Sequence, residues 1–380
     1  MVKKIICWAP ILTDHQAFTY SALARMSGSP ITCFTARKWD RVRRSQGWID
    51  ADVSWVQRVK LPLLGFFIYS VFHLIRYRNA VHIFGSPFED KRMFLLICLA
   101  VRFKIKVYLI AESYSPVAQA YFGSDVGWQQ KIKSFIRPSI YKIYVSLMGE
   151  NLCGIFAISS LACKQYREAG FPGNKILPFG YFVPSINSKF GSKKRRSGGI
   201  NVVFVGSLIP IKALEILISA TREARANGTD IRLDVYGPGD TKNYKFETGI
   251  IEYKGIIPFG RTQLKLVDYD LLVLPSNYDG WGVVINEAIL SRVPVFCSDR
   301  VGARTLIEKF DVGEVFPVND YKYLSSLFVK YASDHSSFEK MKEACFKATK
   351  IIQPESAAMF IFDTINTQLN EKHKPSSPWY

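Results

Sequence analysis

Acidic residues are scarce in the first half of this 380-residue chain. Residues 1–200 hold 10 aspartates and glutamates against 29 lysines and arginines, so the net charge of +18 arises there and the second half is close to neutral. A half so basic calls for an anionic partner, either nucleic acid or an acidic membrane surface or substrate. Paired cysteines are also lacking. The seven cysteines are odd in number, scattered and without a CxxC, which argues against a disulfide framework and a zinc site and for a reducing compartment. No apolar run is long enough to span a bilayer. The longest, LPLLGFFIYSVFHLI (61–75), falls short of the roughly 18 residues needed and carries Pro62, Gly65 and His73. After Lys3 and Lys4 the apolar stretch meets Thr13, Asp14 and His15 too soon for a signal peptide, so a cytoplasmic location is expected. Short-period repeats and low-complexity tracts are absent as well.

What is present is an alternation. At 48% hydrophobic residues the chain can fill two cores, since single cores stop growing near 250 residues. Short apolar runs suited to buried parallel strands recur as KKIICWA (3–9), PITCFTA (30–36), AVHIFGS (80–86), KVYLIAES (106–113) and GIFAISS (154–160), separated by helix-compatible segments. The pattern breaks at NSKFGSKKRRSGGI, then restarts with INVVFVGS (200–207), IRLDVYG (231–237), IIEYKGI (250–256), YDLLVLPS (269–276) and VPVFCSD (293–299). This predicts an α/β fold of two Rossmann-like, doubly wound domains facing a central cleft. The boundaries are a first domain over 1–190, a linker over 191–200, a second domain over 201–355, and a final helix over 356–380 that could cross back to the first domain.

Ligand-binding groups in such folds sit in loops after the strand ends. VVFVGSLIPIKALEILISA places Gly206 and Ser207 after a strand and Lys212 at the mouth of a helix, where free amides, the positive dipole end and one ammonium suit a phosphate. LDVYGPGD ends a strand on Gly237, which lets backbone approach a ligand. In DLLVLPSNYDGWGVVINEA, Asp279 lies in a loop with Gly280, Trp281, Gly282 and Val283, and Glu287 falls a little over one turn into the following helix. An ionised carboxylate is a strong acceptor for paired hydroxyls, so Glu287 suits a ribose diol and Asp279 a sugar. Asp268-Tyr269-Asp270 forms a DxD at the entry of a buried strand and is read as structural.

Taken together, GSLIPIK, YGPGD, PSNYDGWG, Glu287 and VPVFCSD resemble the nucleotide-binding half of the retaining glycosyltransferases of family 4, which have the GT-B arrangement of two Rossmann-like domains. The resemblance covers residues 202–320; over 1–190 it rests on strand order. It implies a UDP- or GDP-sugar donor held by Gly206, Ser207, Lys212, Gly237, Asp279, Gly280, Trp281, Gly282, Val283 and Glu287. Lys212 and Asp279 would act in catalysis, and no metal or other cofactor is expected. Two departures stand out. Asp279 replaces the usual first Glu, and Ser207 replaces an Arg, so Lys212 would carry the diphosphate alone unless another cation such as Arg304 assists. The usual glycine pair of the first loop is absent too, where the chain reads ILTDHQAFTYSALA.

The acceptor belongs to the first domain, with His15, His82 and Glu112 near strand ends as candidates on the acceptor or donor-sugar side. A lipid-linked glycan acceptor of cell-surface polysaccharide assembly and an anionic membrane surface would fit the basic half. The segment 61–78, if helical, is apolar nearly all round, which suits a buried helix or one facing a membrane, burial being the blander expectation. KIKSFIRPSIYKIYVSL (131–147) interleaves cations with apolar residues. Two rival readings are another GT-B enzyme such as a sugar-nucleotide epimerase, and a basic nucleic-acid-binding protein. The cations form no recognisable recognition element, so nucleic acid is not expected as a partner.

Overall fold

The computed structural model describes residues 4–36, 53–87, 90–113, 128–186, 199–367 and 375–380. The first half is one parallel sheet, with strands β1 (Ile5–Ala9), β2 (Ile31–Thr35), β3 (Val56–Lys60), β4 (Val81–Phe84), β5 (Lys106–Glu112), β6 (Gly154–Ile158) and β7 (Ile176–Phe179) in the order 3-2-1-4-5-6-7. The second half is another, with β8 (Gly199–Val205), β9 (Asp230–Tyr236), β10 (Ile251–Tyr253), β11 (Leu271–Leu274), β12 (Val295–Ser298) and β13 (Gly313–Phe316) in the order 10-9-8-11-12-13. All strand pairs are parallel. The two Rossmann-like domains expected from the alternation are therefore present.

Strands such as IICWA are buried on both faces, so their side chains alternate between two helix layers. In the first domain Ile5 and Cys7 pack toward helix α1 (Asp14–Ser27). Ile6 and Trp8 pack toward α2 (Phe66–Arg76), α3 (Lys91–Arg102), α4 (Trp128–Met148) and α5 (Ser159–Glu168). The helices of the second half are α6 (Leu214–Ala226), α7 (Thr262–Leu266), α8 (Val283–Leu290), α9 (Arg304–Phe310), α10 (Tyr321–Ser333), α11 (His335–Ala348) and α12 (Pro354–Asn366).

α12 lies against α1 of the first domain, where Glu355 pairs with Arg25 at 3.6 Å and Phe360 meets Phe156 and Phe179 at ring separations of 6.1 and 6.2 Å. The helix stops at Asn366, short of the 380 anticipated. Residues 375–380 are not helical and return Trp379 to the same cluster, 4.5 Å from Phe182 and fully buried. Burying each such ring contributes roughly 2–3 kcal/mol. The anticipated linker lies outside the described residues except for Gly199 and Ile200, which already belong to β8.

The segment 61–78 corrects the expectation of burial. α2 packs through Phe66, Ser70 and Leu74, with Tyr69 and Val71 half-buried beside them, and turns Phe67, Ile68, Phe72 and Ile75 outward. Among the described residues, no helix is long and apolar enough to cross a membrane.

Candidate active site

β8 and β11 are neighbours, so their exit loops meet. After β8 the chain makes a single 3-10 turn over Pro210–Lys212, and Ala213 adopts φ 48° before α6 begins at Leu214. The turn is tied to the exit of β11 by the Asn277 amide, which donates to the Ile211 carbonyl at 2.8 Å. Two residues on, Asp279 comes within reach of Lys212. Lys212 Nζ donates to Asp279 Oδ2 at 2.5 Å, and both side chains keep part of their surface open.

The Asp279 loop is fixed from three sides. Its backbone forms an isolated parallel bridge with Val301, through Asp279 N to Arg300 O (3.1 Å) and Gly302 N to Asp279 O (3.0 Å). Tyr278 reaches into the first domain, where its hydroxyl donates to the Ser113 carbonyl at 2.7 Å and lies 2.5 Å from Ser113 Oγ. Glu112, the last residue of β5, comes so close to Gly280 that a Cβ there would sit 2.5 Å from Glu112 Oε2. Gly282 takes φ 91° as the N-cap of α8 and provides no side-chain cap, which leaves the first amides of that helix for a ligand. Behind them, Gly237 has φ 145° and abuts the Gly206 carbonyl, 1.8 Å from where a Cβ would stand. The first two glycine loops thus pack back to back, and only glycine fits at 237.

Glu287 does not join the Lys212–Asp279 pair. It is half-buried in α8 with Thr262, at the start of α7, near its carboxyl, and burial pushes its pKa up to about 7 against the opposing pull of that hydroxyl. A raised carboxyl favours the folded state fully at low pH, and the contribution is lost as pH rises through about 7. Between pH 5 and pH 8 the ligand-free protein should therefore lose on the order of 1–3 kcal/mol relative to Glu287→Gln. Denaturant midpoints of the two proteins across that range test it; parallel pH profiles would show that Glu287 does not titrate with folding.

Other candidates fall elsewhere. His82 is a core residue, not a cleft residue. Its Nδ1 accepts from Trp8 Nε1 at 2.9 Å, its Nε2 lies 3.0 Å from the Tyr77 carbonyl below the sheet, and burial lowers its pKa to about 4. Trp281 keeps its indole in the seam between the domains, 2% exposed, with Nε1 donating to Asn286 Oδ1 at 2.8 Å, so only its backbone can face a donor. His15 is the second residue of α1, with Nε2 2.8 Å from Thr13 Oγ1 and its ring 4.0 Å from that of Tyr181, at the strand-end edge of the first sheet. Ser207 and Val283 are half-buried in their loops. Arg304 Nη1 donates to the Asp299 carbonyl at 2.6 Å, just past the end of β12. In the DxD, Asp268 accepts from Lys265 at 3.0 Å, while Asp270 accepts from the Asn201 amide at 2.8 Å and braces β8 against β11.

Sequence reasoning did not find Ser113, Tyr278 or Gly302. Ser113 and Tyr278 hold the site by crossing between domains and Gly302 by bonding to the Asp279 backbone, and no local periodicity marks such contacts.

Residues 185–348 match the model of the family described as Glycosyl transferases group 1. Among curated proteins, the putative colanic acid biosynthesis glycosyltransferase WcaL of Salmonella typhimurium is 26% identical over 48% of this chain and 49% of its own. The phosphatidyl-myo-inositol mannosyltransferase of Mycobacterium leprae is 25% identical over 47% and 50%. The chain thus spans about half the length of the curated relatives it matches. Among solved structures, Anabaena HepE in complex with UDP and glucose superposes with a TM-score of 0.64 at 13% identity, over 97% of this chain and all of that one, a likeness of fold. The likeness to Glycosyl transferases group 1 thus lies in residues 185–348, in a chain with the two-domain GT-B fold.

Proposed function

We propose that the chain is a retaining, metal-independent glycosyltransferase of the family 4 type, which moves a sugar from a UDP- or GDP-sugar to a glycan acceptor. The acceptor in this reading is lipid-linked, and the work is cell-surface polysaccharide assembly at the inner face of a membrane. The observation that carries the reading is the Lys212–Asp279 pair at 2.5 Å, set beside the uncapped start of α8 and faced by Glu112 from the other domain.

Departure of a nucleoside diphosphate from an anomeric carbon builds negative charge on the distal phosphate. Fixed donors aimed at that charge lower the barrier most, because they need no reorganisation as it forms. Lys212 supplies the ammonium, and the amides after Ala213 and Gly282 supply dipoles. Asp279 orients the Lys212 ammonium and accepts from sugar hydroxyls. Glu287 accepts from the ribose, and binding there would draw off its proton near neutral pH. The departing phosphate then takes the acceptor proton on the same face, which gives retention.

The UDP complex of HepE supports a uridine donor, and the names of the two curated relatives support a polysaccharide or lipid acceptor. Thermal unfolding with UDP, GDP or ADP is the test. A nucleotide at about 100 times its Kd should stabilise the chain by roughly 2.7 kcal/mol. UDP or GDP should do so and ADP should not; no stabilisation by any of the three would remove the donor site.

A further inference from the structure

The layer of α2, α3 and α4 on the first sheet carries an apolar surface that no described residue covers. Leu63 and Leu64, on the turn that leads into α2, are 79% and 93% exposed, and Ile68 and Phe72 continue the face at 81% and 56%. On α4, Phe135 is 87% exposed and Trp128 69%. Single exposed apolar residues are ordinary, but a face built from several large ones marks a place where the surface is meant to be covered. The charge around it has one sign: the three helices contain eight lysines and arginines and no aspartate or glutamate.

We infer that this α2–α4 face inserts into the headgroup layer of an anionic bilayer, with Leu63, Leu64, Ile68, Phe72, Trp128 and Phe135 entering the lipid and the surrounding cations meeting acidic headgroups. A helix that is apolar on its outer side and flanked by cations is what an interfacial element requires, and each near-surface cation strengthens attachment to anionic lipid. A second copy of the chain fits poorly, because the same face would bring cations against cations. Nucleic acid fits poorly too, since phosphates leave the exposed Leu64 and Phe135 side chains in water. In a parallel sheet each crossover helix begins at the carboxyl ends of the strands, so Leu63, Leu64 and Trp128 lie on the same edge of the first domain as the cleft. Attachment through them brings lipid headgroups to the side from which an acceptor enters.

The inference takes its purpose from the reading of the cleft as a site of transfer to a lipid-linked acceptor, but its test needs neither donor nor acceptor. The full chain is sedimented with vesicles of phosphatidylcholine alone and of phosphatidylcholine with phosphatidylglycerol, at low and high salt. Wild type should partition onto the anionic vesicles and be weakened by salt. Leu64→Glu combined with Ile68→Glu should cut partitioning at least about tenfold, while Met359→Glu, at an exposed apolar position on α12, should leave it unchanged. UDP-induced stabilisation of each variant checks that the fold and cleft persist, so a chain that binds vesicles but no nucleotide would fail the enzymatic reading and keep this one. Partitioning that is absent in wild type, or unchanged in the double variant, overturns the proposal. So does a wild-type dimer that the double variant dissociates without any vesicle binding, which would make the face a self-interface.

Discussion

Lys212→Ala should lower sugar transfer by roughly 10²–10³-fold, about 3–4 kcal/mol of lost transition-state stabilisation. It should also weaken UDP or GDP affinity when no sugar is present, because the ammonium serves the diphosphate rather than the carbohydrate. Asp279→Ala should reduce transfer to a similar extent while affecting free nucleotide less. The two residues touch at 2.5 Å, so their effects should not add. Loss of Asp279 frees the ammonium to swing, and loss of Lys212 leaves a partly shielded carboxylate near an incoming phosphate. The double variant Lys212→Ala/Asp279→Ala should then be little worse than the poorer single one. Lys212→Arg keeps the charge but changes its reach and geometry, and should recover nucleotide binding better than transfer. Steady-state transfer rates, with nucleotide titrations on the same samples, measure both. If Lys212→Ala bound UDP and GDP as wild type does, Lys212 would have no part in the site; strictly additive losses would dissolve the functional pair.

Trp281→Ala should destabilise the chain by about 3–5 kcal/mol, as expected when a large aromatic is removed from a close-packed core. The indole lies in the interdomain seam with its ring centroid 6.3 Å from that of Phe182. It packs so tightly over Gly180 that a Cβ there would come within 2.3 Å of the ring. Its truncation also leaves the buried Asn286 Oδ1 without its donor. Trp281 lies between Asp279 and Glu287 in the chain, so the cavity should loosen both carboxylates and lower transfer beyond what the loss of folded protein explains. Gly180→Ala attacks the same contact from the other domain by overpacking, at a cost of roughly 1–3 kcal/mol. Chemical unfolding monitored by tryptophan fluorescence and far-ultraviolet circular dichroism compares the variants. A wild-type midpoint for Trp281→Ala would mean that the seam carries no weight.

The expected strands over 3–9, 30–36, 80–86, 106–113 and 154–160 contain β1, β2, β4, β5 and β6, and those of the second half contain β10, β11 and β12 and overlap β8 and β9. They were legible because a strand buried on both faces is apolar at nearly every position. The strands that were missed, β3, β7 and β13, lie at the edges of their sheets. β3 reads VQRVK, with its side chains only half-covered, and β7 and β13 are four-residue strands carrying Pro178 and Glu314. An edge strand needs less apolar surface, so its composition approaches that of a loop.

The site divides in the same way. Residue type and loop position singled out Lys212, Asp279 and Glu287, because charged side chains beside strand-end glycines are few. Chemistry named His82 as well, yet burial next to Trp8 gave it a structural task, and a lone imidazole carries no mark in the sequence of which way it points. Trp281 was taken for a cleft residue by its neighbours in the chain, whereas the bare backbone of Gly180, 101 positions earlier, is what makes room for its ring.

What the sequence by itself determined is the alternation that yields two parallel sheets, the uneven charge, and the loops where ligand chemistry is possible; each depends on near neighbours and on periodicity. Only the tertiary structure decided that Lys212 meets Asp279 while Glu287 turns to Thr262, that Tyr278 is held by Ser113, and that α2 leaves its apolar side open. Those outcomes depend on which surfaces the folded chain brings within a few ångströms of each other. Side chains far apart in the chain carry no local signal of one another, because the contact is fixed by how helices and sheets pack.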